Sequence, residues 1–223
     1  MRRPMPLPRN DGRVELLKEF NIAVAGVGGQ GNLLLSHLIA SAARMEGFEV
    51  QTGETLGMAQ RGGPVMSYVR YGPKIYSSLV PDHEANLLIS LEPVEALRSI
   101  RLVGPNTIAL LNTKEKRPLS VQLGAQKYPK LQEIITSLES AGAKTFAIAA
   151  TELAEQAGNA KSANVCLLGG VAALGTSHIQ LENFKHVLKE QLSKQIEVNL
   201  EAFDLGYEAI KTLMLEKQPL TNA

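Results

Sequence analysis

The sequence contains no tryptophan, and only five tyrosines and five phenylalanines among 223 residues. Proteins that grip single-stranded nucleic acid stack its bases on exposed aromatic rings, and few rings are available here. Cysteine is almost absent as well. Cys166 stands alone, so no disulfide can close within the chain. An iron–sulfur cluster takes about four thiolates and cannot be held by this chain alone. A reducing, intracellular setting, the cytoplasm, is expected. The four histidines are scattered without ligand spacing, so no metal site is expected. Charge of one sign is missing too. A formal net charge of +1 supplies no bulk field to draw nucleic acid or an anionic membrane. No apolar run approaches the roughly 20 residues of a membrane span.

The N-terminal "MRRPMPLPRN" is basic and proline-containing but has no apolar h-region, so it does not read as a secretory signal. Residues 1–20 read as an arm, disordered or docked on a partner. The remainder is ordinary for a globular protein, at 44% hydrophobic and 20% charged residues. There is no internal repeat and no low-complexity linker. Residues 21–223 therefore read as a single domain.

Periodicity supplies the elements. "NIAVAG" (21–26) is a short apolar run ending in glycine, a buried strand. Leu34, Leu35, Leu38, Ile39 and Ala42 follow at helical spacing, and Gly47 stops that helix. "FEVQT" (48–52) is a second strand, which completes a βαβ unit with a right-handed crossover. "VMSYVRYG" (65–72), the turn at Gly72-Pro73 and "IYSSLV" (75–80) read as an inserted hairpin with a return strand. Further strands are expected at 86–91, 107–112 and 144–150. Helices are expected from Glu92-Pro93, over 131–140, and then over 151–156, 164–174, 181–192 and about 196–213. Residues 113–130, polar and lysine-rich, read as an exposed loop. The expected fold is a three-layer α/β/α architecture. Its sheet is mixed but mostly parallel and Rossmann-like, with the inserted hairpin and a helical C-terminal part.

Three stretches look like sites. In "VAGVGGQGNLLLSHL" (24–38), Gly26, Gly28 and Gly31 spell G-x-G-x-x-G between a strand and a helix. Backbone N–H groups of such a turn, aided by the helix N-terminus, can cradle an anion. In a dinucleotide site an acid follows about 20 residues on, and Glu54 stands near that place. A tight turn with no ligand is the plainer alternative. In "GMAQRGGPVMSYVR" (57–70), Arg61 precedes Gly62 and Gly63, a pairing that suits a phosphate or carboxylate. Ser67 and Arg70 follow on opposite faces of a strand. The same loop could equally be a subunit contact. By topology it leaves the second strand at the sheet edge where the glycine turn leaves the first, so the two could line one crevice. In "SANVCLLGGVAALG" (162–175), Gly169 and Gly170 lie in an apolar run and point to close helix packing, with Cys166 as inert core. His37 reads as a solvent-facing or locally bonded residue. Glu92 and Glu95 suit the start of a helix. There is no serine nucleophile elbow and no paired-carboxylate arrangement, so no catalytic residue is assigned.

Taken together, "AGVGGQGNLLLSHLIASAA" (25–43), "GMAQRGGPVMSYVRYG" (57–72), "NLLISLEPVEALR" (86–98), "NVCLLGGVAALG" (164–175) and "NLEAFDLGYEAI" (199–210) resemble the gamma-type subunits of the 2-oxoacid:ferredoxin oxidoreductases. Within that family the likeness is to the beta subunits of the indolepyruvate type. The resemblance runs from about residue 20 to residue 213. It implies a heteromeric enzyme whose large alpha subunit carries thiamine diphosphate, Mg and [4Fe-4S] clusters. Such a complex oxidatively decarboxylates a 2-oxoacid, here an aryl pyruvate such as indolepyruvate, with coenzyme A accepting the acyl group and ferredoxin the electrons. The matching motif positions are Gly26, Gly28, Gly29, Gln30 and Gly31 in the first loop. In the second they are Gln60, Arg61, Gly62 and Gly63, with Ser67 and Arg70 beyond. The resemblance implies that this chain is a non-redox component, not catalytic alone. A free-standing NAD-binding oxidoreductase, motivated by the three glycines and Glu54, is the alternative from another class. A ligand-binding scaffold of the same fold is a third.

Overall fold

The computed structural model describes residues 19–56, 63–117, 121 and 127–217. The expected arm and the loop residues Gln60, Arg61 and Gly62 lie outside these. In chain order the elements are β1 (Phe20–Val27), α1 (Asn32–Met45), β2 (Glu49–Leu56), β3 (Pro64–Gly72), β4 (Leu87–Ser90) and α2 (Pro93–Arg98). Next come β5 (Ile108–Asn112), α3 (Leu131–Ser140), β6 (Lys144–Ile148) and α4 (Ala150–Gln156). The C-terminal part is helical: α5 (Ala163–Leu174), α6 (Leu181–Gln191) and α7 (Ile196–Glu216).

The strands form one six-stranded sheet in the order β2-β3-β1-β4-β5-β6. Strands β1, β4, β5 and β6 are parallel, whereas β3 runs antiparallel to both β1 and β2. Every residue of β1 is buried. This is the expected state of a central strand with helices over both faces, and it explains the unbroken apolar run. On one face Ile22, Val24, Val69 and Tyr71 pack with residues of α1 and α4 to α7. On the other, Ala23, Ala25, Leu88 and Leu111 pack with Ala96 of α2 and with Ile134 and Leu138 of α3. This is the mixed α/β/α sheet expected from the sequence.

One expectation is corrected. Residues 75–80 form no strand. The inserted hairpin is β2–β3, joined through residues 57–63, and not β3 with a return strand. The reason is geometric: β3 is flanked by β2 and β1, so neither of its edges is free for another strand. The backbone of 75–80 instead turns toward the sheet, where Ser77 O and Leu79 O accept hydrogen bonds from the Arg70 guanidinium at 3.1 and 3.0 Å.

Helix α5 is apolar on all sides, with Val165 to Val171 all buried. Such a helix belongs inside a molecule. It lies against α7, where Gly169 and Gly206 let the backbones touch. A Cβ on Gly169 would stand 1.9 Å from Phe203 O, and one on Gly206 would stand 1.9 Å from Cys166 O. The close helix packing expected around Gly169 is therefore present.

Candidate functional site

All four parallel strands end at one edge of the sheet, where open α/β sheets bind ligands. The glycine turn (28–31) leaves that edge after β1. Gly29 and Gly31 have φ of 92° and 87°, the left-handed region that glycine tolerates best. Gln30 sits between them and holds the turn shut. Its Oε1 accepts from Val27 N–H at 2.7 Å and its Nε2 donates to Leu91 O at 3.1 Å, tying the turn to the end of β4. Gly31 is the N-cap of α1, and Leu35 N–H closes the first helical bond onto Gly31 O at 2.9 Å. The amides of 32–34 thus have no partner within the helix. Gly26 and Gly31 are also glycines for lack of space. A Cβ at Gly26 would stand 2.6 Å from Asn32 Oδ1, and one at Gly31 would stand 2.4 Å from Asn164 Nδ2. By contrast, a Cβ at Gly29 would meet nothing within 4 Å.

The second loop comes to the same place. Gly28 N–H donates to Gly63 O at 2.9 Å, so the two loops are bonded to each other at the sheet edge. Gln60, Arg61 and Gly62, just before Gly63 in the chain, fall outside the described residues. Ser67 is not at this edge. It is fully buried on β3, paired with Val24 and Glu54, and its hydroxyl has no hydrogen-bond partner. Arg70 lies farther still. It pairs with Asn21 whereas Val65 pairs with Gly26, so it stands about 17 Å along the strand from Gly26 and farther still from the turn. At 7% exposed, Arg70 donates to Asn21 Oδ1 (2.8 Å), Ser77 O and Leu79 O, and pairs with Glu19. Its fork organises the amino edge of the sheet.

Glu54 is exposed on β2, with its carboxylate 3.9 Å from His37 Nε2 on α1. An acid that takes a dinucleotide ribose belongs on the strand beside β1. Here β3 occupies that place, which sets the backbone of β2 two strand spacings, about 10 Å, from β1.

Residues outside the two glycine-rich loops complete the edge. Glu92, only 1% exposed, caps α2 by accepting from Glu95 N–H at 3.1 Å. Its other oxygen accepts from Lys116 N–H at 3.2 Å and from the Tyr128 hydroxyl. Lys116 Nζ then reaches Gly28 O at 3.3 Å. Burial, and next the hydrogen bond to Glu92, push the Tyr128 hydroxyl far above its ordinary range, so it stays protonated and donates. Burial also raises the Glu95 carboxyl, against the lowering effect of Arg98. Asn112, at the end of β5, joins the end of β4 to the first turn of α4 by donating to Leu91 O at 3.2 Å and Thr151 Oγ1 at 2.9 Å. Asn164 Nδ2, from α5, donates to Gly31 O at 3.3 Å. The available signal for Lys116 was its position: a lysine-rich segment that begins where a parallel strand ends.

The residues present do not fit an iron–sulfur cluster. The one thiol, Cys166, is fully buried in α5, and burial pushes it up to about 12, whereas a cluster binds thiolates. Among the described residues no three His, Cys, Asp or Glu side chains are grouped to hold a metal ion. Nor, among them, is any helix long and apolar enough to cross a membrane.

A mixed, doubly wound sheet with two bonded loops at its carboxyl edge defines an α/β domain of the ligand-crevice class. The chain belongs to the pyruvate ferredoxin/flavodoxin oxidoreductase family, whose model matches residues 21–209. It is 38% identical over 200 residues to the indolepyruvate oxidoreductase subunit IorB of Pyrococcus horikoshii, covering 89% of this chain and 99% of that protein. With the same-named subunit of Archaeoglobus fulgidus the identity is 41% over 189 residues, covering 84% and 94%. The fold matches the gamma subunit of a keto/oxoacid ferredoxin oxidoreductase from Geobacter sulfurreducens with a TM-score of 0.65 at 21% identity, over 86% of this chain and 99% of that one. It also matches 2-oxoglutarate:ferredoxin oxidoreductase from Magnetococcus marinus, with 2-oxoglutarate, coenzyme A and succinyl-CoA bound. There the TM-score is 0.68 at 24% identity, over 88% of this chain and 32% of that longer chain. The family resemblance drawn from the motifs is borne out.

Proposed function

We propose that this chain is the small, non-redox subunit of a heteromeric, cytoplasmic 2-oxoacid:ferredoxin oxidoreductase of the indolepyruvate type. A large partner subunit holds thiamine diphosphate, its Mg ion and the [4Fe-4S] clusters. The complex breaks the bond between the carboxylate and carbonyl carbons of an aryl pyruvate, releases carbon dioxide, passes two electrons to ferredoxin and joins the acyl group to coenzyme A. This chain contributes a wall of that site, its glycine turn and second loop facing the partner and the phosphates of coenzyme A. The observation that carries this reading is the Gly28–Gly63 hydrogen bond, which ties the glycine turn to Gly63 at the end of the second loop. The relatives named indolepyruvate oxidoreductase subunit support the substrate class.

Copurification tests the assembly: the native protein is expected to come with a large cluster-bearing subunit, and its isolation without one sinks the reading. Within the complex, Arg61→Ala should raise the KM for coenzyme A about tenfold, the cost of one charge-assisted hydrogen bond, or uncouple the subunits, while cluster content stays intact. Normal kinetics with normal assembly would remove Arg61 from the mechanism. Saturable micromolar binding of NADH by the isolated chain would favour a dehydrogenase instead.

A further inference from the structure

We propose that Lys116 is a contact for the phosphate groups of coenzyme A at the glycine turn, and that buried Glu92 is its positioning residue. The proposal rests on the reading of the crevice given above and extends it to residues outside both glycine-rich motifs.

Lys116 belongs to the segment that follows β5 at the carboxyl edge. Three cations stand there in a short run, and they are not equivalent. Lys114 Nζ lies 3.4 Å from Glu152 Oε1, and Arg117 Nε lies 2.8 Å from Glu115 Oε2. Lys116 Nζ is directed instead to a neutral backbone carbonyl, Gly28 O, at 3.3 Å. An ammonium on a carbonyl in an exposed position is weakly held, and an anionic oxygen displaces the carbonyl as acceptor.

Gly28 is the first residue of the turn whose last residue caps α1, a helix of 14 residues. Three residues span at most about 11 Å of extended chain, so the ammonium and the helix's first amides lie within reach of one diphosphate. Gly29, between them, is exposed and has open space where a side chain would project. The floor is therefore clear, the amides are present and the ammonium stands at the rim.

Glu92 sets the place of that ammonium. Its carboxylate is buried yet fully used: one oxygen accepts from Glu95 N–H, the other from Lys116 N–H and the Tyr128 hydroxyl. Both ends of the lysine-rich segment, at 116 and 128, are thus tied to a rigid point at the end of β4. With its backbone fixed at Glu92, the Lys116 side chain spans from there to Gly28. A surface lysine without such an anchor loses much of the benefit of a phosphate contact to its own conformational entropy.

The test uses the assembled complex and equilibrium binding of coenzyme A, with inorganic pyrophosphate as a competing probe. Lys116→Ala should weaken coenzyme A binding roughly tenfold and pyrophosphate competition by a similar factor, as expected for one charge-assisted contact; Lys116→Arg should restore most of both. Glu92→Gln, which keeps the size and one acceptor, should raise the KM for coenzyme A several-fold and leave that for the 2-oxoacid in place, whereas general loosening of the fold moves both. In the Lys116→Ala background Glu92→Gln should add nothing further to the coenzyme A defect, because its effect runs through Lys116. Unchanged coenzyme A affinity in Lys116→Ala, with the unmutated complex binding normally, overturns the assignment of Lys116 alone. Additive defects in the double variant overturn the positioning role of Glu92. A complex that binds no coenzyme A at all overturns the wider reading as well.

Discussion

Single residues at this edge show how much chemistry a glycine can encode. Gly31 is forced twice, by its left-handed φ and by Asn164 Nδ2 at 2.4 Å from where a Cβ would lie. Gly31→Ala should therefore destabilise the protein by about 2–4 kcal/mol, the sum of backbone strain and overpacking, measured by urea unfolding. Adding Asn164→Ala should recover the steric part and leave the backbone part. Cys166 makes a different prediction. Its thiol, ordinarily near 9, is pushed to about 12 by burial. In the unfolded chain it loses its proton from about pH 9 upward, whereas the folded thiol keeps it until about 12. The unfolded state then binds fewer protons, so stability falls as pH rises through that window and is fully present below it. Tyr71, raised by burial and next by the charge of Glu46, acts with the same sign. The Cys166 share is read as the difference in pH slope between the wild type and Cys166→Ala. Equal slopes would refute it. The glycine turn and Cys166 were legible from sequence because a strand–glycine–helix pattern and an apolar run are local signals, whereas the Asn164 contact that crowds Gly31 is tertiary. Arg70 was not, since its partners Asn21, Ser77 and Leu79 are assembled by the sheet and by the segment after β3.

Among elements, the α5–α7 crossing is the tightest backbone contact described. The obstacles to a Cβ at Gly169 and Gly206 are main-chain carbonyls at 1.9 Å, which no rotamer change can move. Gly169→Ala or Gly206→Ala should cost about 3 kcal/mol or more, at or beyond the upper end of overpacking. A melting temperature within a degree or so of wild type would mean that the helices can part freely. Helix α5 was legible from its apolar run and paired glycines, and α3 from its periodicity. The segment 75–80 misled because strand propensity describes a residue's fit to a half-buried surface and not whether a sheet edge is free to pair. With β2 and β1 flanking β3, none was.

Over the whole molecule, the class of fold was readable because apolar runs, glycine stops and helical periods agree with one another. What could not be read was the strand order, since nothing local says that β3 enters between β1 and β2. That order decides the site. It brings Gly63 against Gly28, sets Glu54 one strand farther from the turn than a dinucleotide acid stands, and carries Arg70 to the opposite edge. Likewise the lysine-rich segment after β5 had composition enough to be noticed, but its hold on Glu92 and Gly28 exists only in three dimensions.

The placement of β3 also has a kinetic side. Its pairing with β2 closes only a short loop, Leu56 opposite Val65, whereas its pairing with β1 joins Val27 to Pro64 across all of α1 and β2. Loop-closure entropy is small for the first and larger for the second, so the hairpin can form early as a local unit while its seating on β1 waits for distant chain to be gathered. The Gly28–Gly63 bond lies at the end of that second seam. That bond therefore depends on the non-local seating of β3 on β1 and cannot form with the β2–β3 hairpin alone.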